Sequence, residues 1–106
     1  MSDMFNECSS LEELNLSNFN TNKVTDMGCM FWGCSLLKEL NLSNFNTDNV
    51  TDMSWMFYGC ENLKKINMSN FNLNKECKID NIFNGINKKE CKLITNNEII
   101  KIIFNK

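Results

Sequence analysis

Apolar and polar positions along this chain follow two rhythms that succeed one another at a fixed interval. Leu40 and Leu42 stand two apart with Glu39, Asn41 and Ser43 flanking them, and Leu37 precedes them by three. A step of two predicts a short strand whose leucines point inward and whose polar residues point outward. Asn and Ser then turn the chain, and Phe45 closes the corner. Further on, Met53, Met56 and Phe57 fall at i, i+3 and i+4, which predicts one face of a short helix from Asp52 to Tyr58. Thr51 or Asp52 is placed to cap its start, and Gly59 stands where a left-handed residue ends a helix.

Both rhythms return together. Residues 11–20, LEELNLSNFN, recur as residues 37–46, LKELNLSNFN, and more loosely as residues 63–72, LKKINMSNFN, so that 37 − 11 = 63 − 37 = 26 residues. In step with them, Val24-Thr25-Asp26-Met27 with Met30-Phe31-Trp32-Gly33-Cys34 returns as Val50-Thr51-Asp52-Met53 with Met56-Phe57-Tyr58-Gly59-Cys60. It decays to Ile79 with Ile82-Phe83-Asn84-Gly85-Ile86. Met4-Phe5-Asn6-Glu7-Cys8 matches the end of such a unit, so the expected division is a truncated unit end at 1–10, three repeats over 11–88, and a C-terminal segment at 89–106. A single unit of this kind cannot bury its own apolar face, so neighbours must stack. The fold expected is therefore α/β: a short solenoid with a ladder of parallel strands on one side and short helices on the other. Residues 89–106 suit a cap, as an extra strand or an amphipathic turn. At the opposite end, Leu14 and Leu16 are expected to be thinly covered, leaving that end to stack on something.

The strand pattern LxxLxL is that of leucine-rich repeats, and the whole unit, LxxLNLSNFNTxxVTDMxxMFxGCxx, closely resembles the 26-residue bacterial surface protein repeat of BspA-like leucine-rich-repeat proteins. The resemblance covers residues 4–88, with SNFNT, VTDM and MFxGC in order and in phase twice. It implies a parallel-strand solenoid, usually on a cell surface and used for adhesion or protein binding, with no catalytic residues to carry over. No export signal, lipid-anchoring Cys or wall anchor is read at the ends of the sequence. The expectation is therefore cytoplasmic for the chain as written, and cell surface or secreted where it forms part of a longer exported protein.

Composition narrows the chemistry. The chain has 106 residues, no His and a formal charge of −2, and its basic residues are all Lys. Without imidazole there is no Ser-His-Asp or Cys-His nucleophile and no mixed Cys/His zinc site. Without Arg there is no bidentate fork for guanine edges or phosphate. Neither an enzyme nor a specific nucleic-acid binder is expected, and no cofactor or metal is predicted. No apolar run approaches the roughly 20 residues of a membrane-spanning helix. Asn supplies about one residue in five, a skew read as an AT-rich codon bias rather than as function. Residues 1–62 hold nine acidic groups and two Lys, giving −7, and residues 63–106 hold four and nine, giving +5. That division favours head-to-tail contact between copies.

Two surfaces carry the candidate site residues. On a helix whose inner face is Met53, Met56 and Phe57, Trp55 and Tyr58 lie opposite, and Trp32 joins them from the preceding unit as an exposed aromatic patch suited to a binding hot spot. Outward strand positions form polar columns, Glu13 and Asn15, Glu39 and Asn41, Lys65 and Asn67, on the side where solenoids commonly bind. Both have bland readings, intramolecular cover for the first and obligatory polarity for the second. Cys8, Cys34 and Cys60 share one repeat position and are expected as a buried, reduced column of small hydrophobes. The sequons at Asn15, Asn41, Asn49 and Asn67 are largely one repeat position counted again. The function expected is a non-enzymatic protein-interaction module of a BspA-like surface or adhesion protein, with an unidentified protein partner. The alternatives are an intracellular scaffold that self-associates through its ends, or a gene fragment without independent function.

Overall fold

A computed structural model describes Phe5 and residues 10–106. The second and third repeats each supply one short strand and the C-terminal segment a third, joined into one open parallel sheet: β1 (Glu39–Asn41), β2 (Lys65–Asn67) and β3 (Lys92–Ile94), in the order β1-β2-β3. Leu40 pairs with Ile66 and Ile66 with Leu93. The side chains of Leu40 and Ile66 point into the core, as the step of two requires. The first repeat differs from expectation here, since residues 13–15 form no strand and β1 is the edge of the sheet. The segment expected to cap the repeats as an extra strand or an amphipathic turn supplies both a strand, β3, and then the helix α1 (Glu98–Phe104). Asn97 caps α1, its side-chain oxygen accepting from Ile100 N at 3.0 Å, and Ile100 and Phe104 are its buried residues.

The helix expected from Asp52 to Tyr58 does not form, nor do its equivalents in the neighbouring units. An α-helix needs each N–H to reach back four residues, whereas here alternate N–H groups cross to the next unit. Met27, Cys29, Phe31 and Gly33 donate to the carbonyls of Asp52, Ser54, Met56 and Tyr58 at 2.7–3.0 Å. The N–H groups between them, on Met30, Trp32 and Cys34, close three-residue steps back to Met27, Cys29 and Phe31. Cys29, Trp55 and Asn81 take left-handed φ of 56°, 58° and 57° so that the chain can curl while keeping this cross-ladder. The expected left-handed glycine is present, with φ of 77°, 80° and 94° at Gly33, Gly59 and Gly85. Asp26 and Asp52 start their turns by accepting from the N–H of Gly28 and Ser54, both at 2.8 Å.

Repetition builds the core as columns. Phe5, Phe31, Phe57 and Phe83 stack nearly parallel with centroids 5.6, 5.8 and 5.9 Å apart, and Phe104 of α1 ends the column edge-on at 5.0 Å. Phe45 stacks on Phe71 at the strand-side corner. Around these rings Met27, Met30, Met53, Met56, Leu42 and Val50 are fully buried. Polar side chains tie unit to unit on the outside. Asn44, Asn70 and Asn96 donate their amides to the Ser17, Ser43 and Ser69 carbonyls. Asn49 and Asn74 donate to the carbonyls of Asn22 and Val50. Thr21 and Thr47, both buried, bridge N–H and C=O of Asn46 and Asn72 respectively. Asn abundance, read from composition as a codon effect, is thus used to satisfy backbone groups at the turns of stacked units.

Candidate interaction surfaces

On the strand side, the alternation that buries Leu40 and Ile66 leaves Glu13, Asn15, Glu39, Asn41 and Lys65 exposed and Asn67 half-buried. An open groove of about 770 Å³ runs over Glu13, Asn15, Glu39 and Asn41 but not Lys65 and Asn67, and is lined by Glu12, Glu13, Leu14, Asn15, Lys38, Glu39, Asn41 and Lys64. The parallel register sets Glu39 beside Lys65 and Lys65 beside Lys92, so the surface passes from acidic to basic across the sheet. Lys64 pairs with Glu90 at 2.7 Å, and that pairing lowers the Glu90 pKa. Both groups are exposed, so the pair adds little to stability. Asn15, Asn41 and Asn67 already have work to do: each side-chain oxygen accepts from the N–H of Ser17, Ser43 or Ser69 at 3.0 Å and turns the chain at the strand's end. Their amide NH₂ groups are the part left to face a partner.

On the opposite side the structure brings the three predicted aromatics together. Trp32 and Tyr58 lie 4.3 Å apart between centroids, Trp55 meets Tyr58 edge-on at 5.3 Å, and Trp32 and Trp55 are 5.9 Å apart. The rings are half-buried rather than fully displayed, because they pack on each other instead of projecting from a helix. Trp55 holds a left-handed backbone, an arrangement that costs an L-residue roughly 1–2 kcal/mol. The equivalent Asn81 is better suited to that conformation.

Inside, Cys34 and Cys60 occupy one column and are both buried, while Cys8 lies outside the described residues, as does most of the expected unit end at 1–10. The Cys34 and Cys60 sulfurs donate to the Phe5 and Phe31 carbonyls at 3.0 and 3.1 Å. Burial, with the Cys34 thiol close by, pushes the Cys60 pKa up from 9.0 to about 12. The folded chain therefore holds this proton more tightly than the unfolded one. Its stabilising contribution is complete below about pH 9 and is lost as pH rises toward 12, at up to about 1.4 kcal/mol per pH unit. Urea midpoints taken at about pH 8 and about pH 10.5 should fall more steeply for the wild type than for Cys60→Val; equal slopes would show that the thiol is not responsible.

Among the described residues no cluster of three or more His, Cys, Asp or Glu is arranged to hold a metal ion, and no helix is long and apolar enough to cross a membrane. What the geometry defines is a small α/β repeat protein with a polar groove on its strand side and an aromatic cluster on its turn side. The chain belongs to the family described as Mycoplasma protein of unknown function, DUF285, whose model matches residues 1–97. Among curated proteins and among solved structures, none matches it significantly.

Proposed function

We propose that this chain is a non-catalytic protein-binding module, built as a short leucine-rich-repeat solenoid of BspA-like type and capped at its C-terminal end by residues 89–106. In this reading it serves adhesion or protein recognition on a cell surface, as part of an exported protein, and the strand-side groove takes the partner. The observation that supports it most is the groove itself: its lining residues come from the same positions of successive units, so side chains there vary without disturbing the buried columns. Trp55, kept in a backbone conformation unfavourable to it, supports a second contact area in the Trp32, Trp55 and Tyr58 cluster.

A photoactivatable crosslinker placed at Asn41 or Lys38 in native cells should trap one discrete protein, and the same group at Lys75, outside the groove, should not. Glu39→Lys should reduce the trapped product severalfold, and Trp32→Ala with Trp55→Ala should do so if the aromatic cluster takes part. Equal trapping at all three positions, or none at Asn41 and Lys38, would remove the groove as the binding site.

A further inference from the structure

We infer that this chain docks head to tail on a second copy of itself, the outer face of α1 in one molecule seating on the first repeat unit of the next. Phe31, Phe57, Phe83 and Phe104 follow in order along the phenylalanine column, so the first repeat and α1 lie on opposite sides of the described units, with Phe5 packed against Phe19 and Phe31 of the first. Only three large apolar side chains among the described residues are exposed, and two of them are on α1: Ile99 at 54% and Ile102 at 61%. Three residues apart, they share one face of the helix, turned away from the buried Ile100 and Phe104.

The first unit is the apolar counterpart. Leu11, Leu14, Phe19 and Val24 are half-buried, whereas their equivalents one repeat on, Leu37, Leu40, Phe45 and Val50, are at most 2% exposed. Leu16 is buried at 3% and Phe5 packs against Phe19 and Phe31, so the partial exposure of core positions in this unit is confined to those four side chains. Charge selects the pairing. Glu12, Glu13 and Asp26 against Lys23 make the first unit net acidic, while Lys88, Lys89, Lys92, Lys101 and Lys106 against Glu90 and Glu98 make the other end net basic. Like ends repel and unlike ends attract, which favours head to tail over head to head. A contact between two different surfaces does not close at two copies, so it propagates into chains. Glu12, Glu13 and Leu14 also line the strand-side groove, so this docking covers one end of it, and a variant on α1, away from the groove, separates self-association from whatever else binds there.

Sedimentation of the full chain over rising concentration tests this. The average mass should climb from 12.3 kDa past that of a dimer without a plateau. Ile99→Ser with Ile102→Ser, and separately Glu12→Lys with Glu13→Lys, change exposed side chains and should leave the circular dichroism spectrum and urea midpoint intact. Each should weaken self-association by more than about tenfold. Mixed together, the two variants retain one good end each and should form one-to-one pairs that stop at two. A wild type that stays at 12.3 kDa, a double variant that associates like the wild type, or a mixture that fails to pair would overturn the inference.

Discussion

Phe57→Ala is expected to lower the unfolding free energy by about 3–5 kcal/mol, the largest loss for any single side chain in this molecule. Its ring is fully buried between Phe31 and Phe83, 5.8 and 5.9 Å away, so truncation opens a void bounded on two sides by rings that are themselves held in the column. Collapse into that void would require Phe31 or Phe83 to leave its own neighbour, which keeps the cavity open and the cost high. Domains of this size have only about 5–15 kcal/mol in total, so the variant should be close to unfolded at ambient temperature. Phe57→Leu retains most of the apolar volume and should cost much less. Urea denaturation of the three proteins decides the matter, and a loss under about 1 kcal/mol for the alanine variant would mean that the column is not the core of the fold.

Gly85→Ala should also be strongly damaging, and more so than Gly59→Ala. Both glycines hold positive φ, 94° and 80°, where an L side chain is strained. They differ in what an added methyl meets. At Gly85 it would lie 2.5 Å from the Gly59 backbone nitrogen, an overlap that only a backbone shift can relieve, whereas at Gly59 its nearest atoms, on Gly33, are 3.3 Å away. Strain plus displacement puts Gly85→Ala at about 2–3 kcal/mol and Gly59→Ala nearer about 1 kcal/mol. Thermal melts of the two variants in one buffer give the order directly, and the reverse order would show that the outer turn yields freely.

The contrast between these two predictions marks what was legible in the residues. Phe57, Met53 and Met56 were readable as buried because apolar periodicity reports burial whatever the backbone does. The same periodicity named the wrong element: i, i+3, i+4 spacing also arises in turns that close three-residue steps, and nothing in Ser54-Trp55-Met56 announces that the N–H groups of Trp55 and Phe57 go to Asp80 and Ile82. Gly59 was readable as left-handed, but left-handed backbone at Cys29 and Trp55 was not, since neither residue type signals it. β3 was legible only as an extra strand within residues 89–106, and its place was hidden because Lys92-Leu93-Ile94 follows Lys65-Ile66-Asn67 by 27 residues instead of 26, which breaks the phase on which the repeat was recognised. The i, i+3 spacing joins Trp55 to Tyr58 on a helix that does not form, and repeat position adds Trp32; the three rings do meet, but their mutual packing makes them half-buried rather than an exposed patch. The bonding of Asn44, Asn70 and Asn96 left a trace that was available: these asparagines are themselves 26 residues apart, a phase that codon bias alone does not impose.

The columns also bear on how such a gene can change length. Every ring stack, amide bridge and cross-ladder joins a residue to its counterpart about one repeat away, so removing or duplicating one whole unit leaves each remaining junction chemically what it was. An in-frame exchange of 26 codons between neighbouring copies of the repeat therefore passes from one foldable protein to another in a single step, whereas a deletion of a few codons misaligns all the columns at once. The break at position 73, where Leu73 stands in place of the bridging Thr21 and Thr47, confines that freedom to the units before it. Unequal recombination at the DNA level would thus generate length variants readily from the first two units, while the final unit, fitted to α1, stays constant.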